Sequence, residues 1–139
     1  MSEELQPLIE AAQQARTHSV APFSGFLVGA AVRAGSGKVY TGCNVESASY
    51  GLTVCAERVA IWKALSEGER QFTELAVVAD TETLTPPCGT CRQIIWEFAR
   101  GANIVFANLD GKSEEFHMAD LLPHAFDAKF LKKSNETRE

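Results

Sequence analysis

Two short segments of this chain carry cysteine where a helix is predicted to begin: Cys55-Ala56-Glu57-Arg58, and Pro87-Cys88-Gly89-Thr90-Cys91. A Cys-x-x-Cys pair alone is open to three readings: a redox site, half of a zinc ribbon, or two ligands of a catalytic zinc. Cys55 changes the balance. If it joins Cys88 and Cys91, the fold must bring two helix N-termini to one point, and that convergence has a chemical use. The positive end of a helix lowers a thiol pKa, and the thiolate is the form that binds metal. Three thiolates on Zn²⁺ leave an excess negative charge, which two helix ends offset in part. Arg58 can donate hydrogen bonds to the sulfurs and offset more. Three protein ligands also leave the fourth tetrahedral position open to water, as a catalytic zinc requires.

Glu57 follows Cys55 by two residues, inside the first helical turn. A carboxylate there can face water at the open position without competing for the metal. Zinc lowers the pKa of such water towards about 7. Glu57 can take the proton and pass it to a leaving group. Glu in a first turn also complements the helix dipole with no part in catalysis. Its place between a candidate ligand and a sulfur-neutralising Arg favours the proton shuttle. Cys43 as a fourth ligand would close the site and make the zinc structural. Its separation from Cys55 is no metal-pair spacing, and a closed site would leave Glu57 without a task, so a buried thiol is expected. His18, His117 and His124 have no ligand spacing and are expected at the surface or in packing.

The pattern elsewhere is α/β. Leu5, Leu8, Ile9 and Ala12 predict an amphipathic helix over roughly residues 3 to 17. Phe26 to Arg33 and Lys38 to Cys43 read as strands joined through Gly35-Ser36-Gly37. The helix opening near Cys55 and stopping at Gly68 is apolar almost all round, which predicts a central, buried helix. Leu75 to Ala79 reads as a buried strand. A third helix should follow Pro86-Pro87, with Cys91, Ile94, Ile95 and Phe98 on one face and Gly101 at its end. Asn103 to Ala107 is a further strand, Phe116 to Met118 a short edge strand, and Ala119 to Leu122 a helical turn. This order predicts a mixed sheet of about five strands between helices, in one domain over residues 1–131, with a polar tail at 132–139.

Acidic residues outnumber Lys and Arg by 18 to 13, a net charge of -5. That balance argues against a polynucleotide partner, which needs clustered basic residues, and leaves a small polar substrate. No segment approaches the length of a membrane span, and Met1-Ser2-Glu3-Glu4 lacks a signal-peptide profile, so a cytoplasmic protein with reduced cysteines is expected.

Cys55-Ala56-Glu57-Arg58 with Pro87-Cys88-Gly89-Thr90-Cys91-Arg92-Gln93 resembles the small zinc-dependent cytidine deaminases. Cys at position 55, where nucleic-acid-editing and tRNA adenosine deaminases carry His, points to the three-cysteine, homotetrameric nucleoside enzymes. Three further segments resemble the family in the same order: Pro22 to Ala31, Gly42-Cys43-Asn44-Val45-Glu46, and Leu121 to Phe126. The resemblance implies a three-layer cytidine-deaminase-like fold, one Zn²⁺ on Cys55, Cys88 and Cys91, and Glu57 as catalytic residue. It implies hydrolysis of cytidine and 2′-deoxycytidine to the uracil nucleosides and ammonia, with no nucleic-acid or membrane partner. Asn44 and Glu46 would hold the ribose 3′-hydroxyl, their alternation on a strand pointing both to one face. Phe26 would pack on the pyrimidine, and backbone around Ala56 and Pro86 would read the base edge. Tyr50 and Phe126 would help close a pocket on a neighbouring subunit. The chain departs from the family at Phe23, Gly25 and Pro86. Gly25 stands where a larger residue is usual, which implies extra room beside the base. Two alternatives stand beside this reading. A deaminase of modified cytosine nucleosides or nucleoside antibiotics would share the zinc and Glu but not always Asn-x-Glu, and a structural zinc module would need a fourth ligand.

Overall fold

The computed structural model describes residues 5–131, and the tail read at 132–139 lies outside them. Helix α1 (Leu5–Arg16) buries Leu5, Leu8, Ile9, Ala12 and Ala15, the stripe its spacing predicts. Strands β1 (Val28–Ala34) and β2 (Val39–Cys43) form the expected hairpin, with Ala31 opposite Thr41. Helix α2 (Ala56–Ser66) and strand β3 (Phe72–Ala79) follow, then α3 (Gly89–Ala99) and β4 (Asn103–Ala107). Strand β5 (Ser113–Phe116) and the short α4 (Met118–Leu121) complete the regular elements, apart from single 3-10 turns at Tyr50–Leu52 and Ala128–Leu131.

The five strands form one mixed sheet in the order β2-β1-β3-β4-β5. Only β3 and β4 are parallel, and α3 is the crossover such a pair requires. β3 is the central strand and is buried at every position but Thr73, which explains its continuous apolar run. Leu75 and Val77 share one core with α2 and α3. Ala76 and Val78 share the other with α1. The molecule therefore has three layers, with α1 on one side of the sheet and α2 and α3 on the other.

Four local expectations need correction. β1 begins at Val28, not Phe26, because the Asn44 side chain occupies the groups a strand would use there. Its Oδ1 accepts the Val28 N–H at 2.9 Å and its Nδ2 donates to the Phe26 carbonyl at 2.8 Å. α2 buries Ala56, Ala60, Ile61 and Ala64 but leaves Trp62 45% exposed, so only one face is central. On α3 the inward residues are Cys91, Ile95 and Ala99, while Phe98 points out. The edge strand lies at 113–116, where Phe116 pairs with Ile104, and Met118 instead opens α4 and is buried.

Gly42 fixes the seat of α2. A Cβ at this position would stand 2.6 Å from both the Ala56 carbonyl oxygen and the Ala60 nitrogen. The helix therefore rests backbone to backbone on β2, which sets where its N-terminus comes to lie. Among the described residues, no helix is long and apolar enough to cross a membrane.

Candidate metal centre and substrate cavity

Cys55 is the N-cap of α2 and Cys88 the N-cap of α3, both with extended backbone and neither side chain engaged in capping. Cys91 lies in the first turn of α3 and is buried. The two helix starts thus meet, as the sequence requires. Cys55 Sγ stands 3.7 Å from Cys88 Sγ, and Cys88 Sγ 3.4 Å from Cys91 Sγ. Thiolates at about 2.3 Å from a tetrahedral zinc stand about 3.8 Å apart, so the cluster has the dimensions of a three-thiolate zinc site. Among the described residues, these three are the one group of His, Cys, Asp or Glu side chains so placed, and Cys43 is not in it.

Arg58 reaches this cluster from the first turn of α2. Its Nη2 is 3.7 Å from Cys55 Sγ and donates to the Thr53 carbonyl at 3.2 Å, and the guanidinium lies 5.6 Å from the centre of the Trp62 ring. Its Nε is buried without a partner. Hydrogen bonding with Cys91, then with Arg58 and Cys88, pulls the Cys55 thiol down to about 5 against the opposing effect of burial. The same contact with Cys55, then burial and the Glu57 charge, pushes the Cys91 thiol up. Arg58 thus stands where it can offset negative charge on Cys55.

Glu57 is 4% exposed. Burial, with the neighbouring Cys55 charge, pushes its carboxyl up to about 7, against its own backbone N–H, Cys91 and Arg58. It lines a cavity of about 220 Å³ together with Cys55, Cys88, Phe26, Asn44, Glu46 and Pro86. The cavity walls also include Val28, Thr53, Val54, Val77 and Thr85, which sequence reasoning did not single out. Thr53 was the most accessible of these to inference, standing two residues before Cys55. A larger hollow of about 520 Å³ lies between Leu84, Phe106, Phe116 and Leu121, sharing only Pro86 with the first and none of the cysteines. Cys55, Cys88 and Glu57 all line the smaller cavity.

Asn44 and Glu46 do not lie on β2, which ends at Cys43. The chain continues through an isolated bridge, Val45 pairing with Val20 and Val54, and this keeps the alternation that brings both side chains to the cavity. Ala56 is fully buried and outside the lining. Tyr50 and Phe126 are also outside it, 77% and 54% exposed. Tyr50 meets Phe23 edge-on at 6.1 Å, and Phe126 stacks on Phe130 at 5.7 Å. Gly25 adopts φ +67° and a Cβ there would meet nothing within 4 Å. Its left-handed backbone accounts for glycine at this position, and Gly25 is not among the residues lining the cavity.

Fold and centre together define a class: a three-layer α/β protein with a three-thiolate metal centre at two helix N-termini and a buried carboxylate beside it. Residues 2–108 match the family model of the cytidine and deoxycytidylate deaminase zinc-binding region. The chain is 47% identical over 134 residues to the cytidine deaminase of Sporosarcina psychrophila, covering 96% of this chain and 98% of that one. It is 49% identical over 124 residues to the cytidine deaminase of Halalkalibacterium halodurans, covering 88% and 94%. The crystal structure of cytidine deaminase from Burkholderia pseudomallei superposes with a TM-score of 0.84 at 46% identity, covering 91% of this chain and 100% of that one. The chain belongs to the cytidine deaminase family.

Proposed function

We propose that this chain hydrolyses the 4-amino group of cytidine and 2′-deoxycytidine, giving the uracil nucleoside and ammonia. The juxtaposition that supports this most is three sulfurs at metal-ligand spacing beside a carboxyl poised near neutrality, in a cavity with an aromatic wall and two polar side chains. Cys55, Cys88 and Cys91 would hold Zn²⁺, which when bound supplies the Lewis acidity that makes water a nucleophile at neutral pH. Glu57 carries the protons. It accepts one from the water attacking C4 and gives it to N3, then carries the second from the new C4 hydroxyl to the amino nitrogen as the C4–N bond breaks, leaving the C4 carbonyl and ammonia. Arg58 steadies the sulfur charge.

Phe26 packs on the pyrimidine, Asn44 and Glu46 take the sugar, and backbone near Ala56 and Pro86 reads the base edge. Tyr50 and Phe126 serve the cavity of a neighbouring subunit in a homotetramer. The outward large apolar side chains Tyr50, Leu52, Trp62, Phe98 and Phe126 favour such an assembly. The net charge of -5 favours a nucleoside over a polynucleotide. Free thiols at the centre suit a reducing, cytoplasmic setting.

Ultraviolet absorbance and ammonia release, followed side by side with cytidine, deoxycytidine, cytosine and cytidine monophosphate, test the assignment. Both nucleosides should turn over, cytosine poorly, and the 5′-monophosphate hardly at all, since neither Glu46 nor the acidic chain offers a phosphate the Arg, Lys or helix N-terminus that would bind it. Efficient turnover of the monophosphate would overturn the substrate class. Silence with all four would overturn the reaction.

A further inference from the structure

Glu46 is gripped by one short loop. Its Oε1 accepts the backbone N–H groups of Phe23 and Ser24, each at 3.0 Å, and its Oε2 accepts the Ser24 hydroxyl. That hydroxyl accepts in turn from the Phe26 N–H at 3.0 Å. An ionised carboxylate offers about four lone-pair sites, so with three filled one remains, on Oε2. The Ser24 hydroxyl, followed by its backbone N–H, holds the Glu46 carboxyl below the usual carboxylate range, which keeps it an acceptor. The left-handed turn at Gly25 brings the Phe26 N–H back to Ser24.

Ser24 therefore stands between the side chain that takes the sugar and the backbone of the residue that walls the base. Asn44 secures the next stretch through the Phe26 carbonyl and the Val28 N–H. Glu46 also borders a second, largely apolar hollow of about 260 Å³ lined by Phe23 and Tyr50. A carboxylate freed from Ser24 has two hollows to choose between.

We infer that Ser24 is a positioning residue for the sugar: its hydroxyl fixes Glu46 so that the one open acceptor site of Oε2 meets the nucleoside 3′-hydroxyl, and couples that contact to the Phe26 wall. The inference rests on the proposed reading of Glu46 as the sugar-binding residue. The test uses full-length, zinc-loaded wild type, Ser24→Ala and Ser24→Thr, each assayed with cytidine and 3′-deoxycytidine. Wild type should prefer cytidine. Ser24→Ala should raise KM for cytidine roughly tenfold with kcat little changed, the loss of one hydrogen bond to a charged group. With 3′-deoxycytidine, which offers Glu46 no hydroxyl, the rise should stay within about twofold. Ser24→Thr keeps the hydroxyl and should restore the cytidine KM.

An equal rise with both substrates would mean that Ser24 only supports the loop. No rise with either, or Ser24→Thr behaving as Ser24→Ala, would likewise overturn the positioning role and leave Glu46 as sugar reader. Wild type treating the two nucleosides alike would overturn the Glu46 reading itself, and this inference with it.

Discussion

As the proposed proton carrier, Glu57 must be both buried and ionisable. Its burial beside Cys55 puts the carboxyl near 7, the range in which one group can accept and return a proton at neutral pH. Glu57→Gln fills the same space without a transferable proton. It should retain zinc by atomic absorption while kcat falls by about 10² to 10⁴-fold or more. Cys43 offers the complementary check, because it lies outside the sulfur cluster. Cys43→Ala should keep one zinc per chain, whereas Cys55→Ala should lose zinc and thermal stability together. Metal loss from Cys43→Ala would revive a closed, structural site. At this scale the sequence was most legible where residue type and spacing combine, as in Cys55, Glu57 and the Cys88–Cys91 pair. Thr53, Thr85 and Val77 escaped notice because a threonine in a loop or a valine in a central strand carries no such pattern. The hold of Asn44 on Phe26 and Val28 was equally hidden, since it joins residues 18 and 16 apart.

α2 depends on a position in another element. With Gly42 replaced by Ala, the new Cβ would meet two backbone atoms at 2.6 Å, and backbone cannot swing aside as a side chain can. Such overpacking typically costs about 1–3 kcal/mol. Gly42→Ala should melt several degrees below wild type and bind zinc less tightly, because Cys55 moves with the helix. Gly101→Ala, whose Cβ would meet nothing within 4 Å, serves as the control. It should melt within about two degrees of wild type or slightly above. Differential scanning calorimetry on the three proteins distinguishes the outcomes, and equal melting points would remove Gly42 from its role. The elements themselves were legible in proportion to their burial. The expected bounds of β4 match the observed strand because an apolar run between Gly101 and Asp110 has one meaning for a buried strand. β5 is hard to place from sequence because Ser113, Glu114 and Glu115 show solvent-facing chemistry while their backbone pairs with β4. Phe98 was expected inward in place of Ala99, since ring size suggests burial more strongly than a methyl group does.

At the scale of the whole molecule, the proposed tetramer rests on outward apolar side chains. Leu52 is among the most exposed of these and neighbours Tyr50. Sedimentation of wild type should give the mass of four chains. Leu52→Lys should shift the population to smaller species, with far-ultraviolet circular dichroism unchanged, because the residue makes little contact within its own chain. A monomeric wild type would overturn the assembly. The spacing of the cysteines carries a consequence of a different kind. Cys55 and Cys88 are 33 residues apart, and α2 and β3 lie between them. An ion held by both closes a ring of backbone that contains β3, and the ring takes its native form only with β3 paired beside β1. Non-local closure of this type comes late in folding. Zinc capture would thus be one of the last events in the life of a newly made chain, and the three thiols would be most open to oxidation in the interval before it.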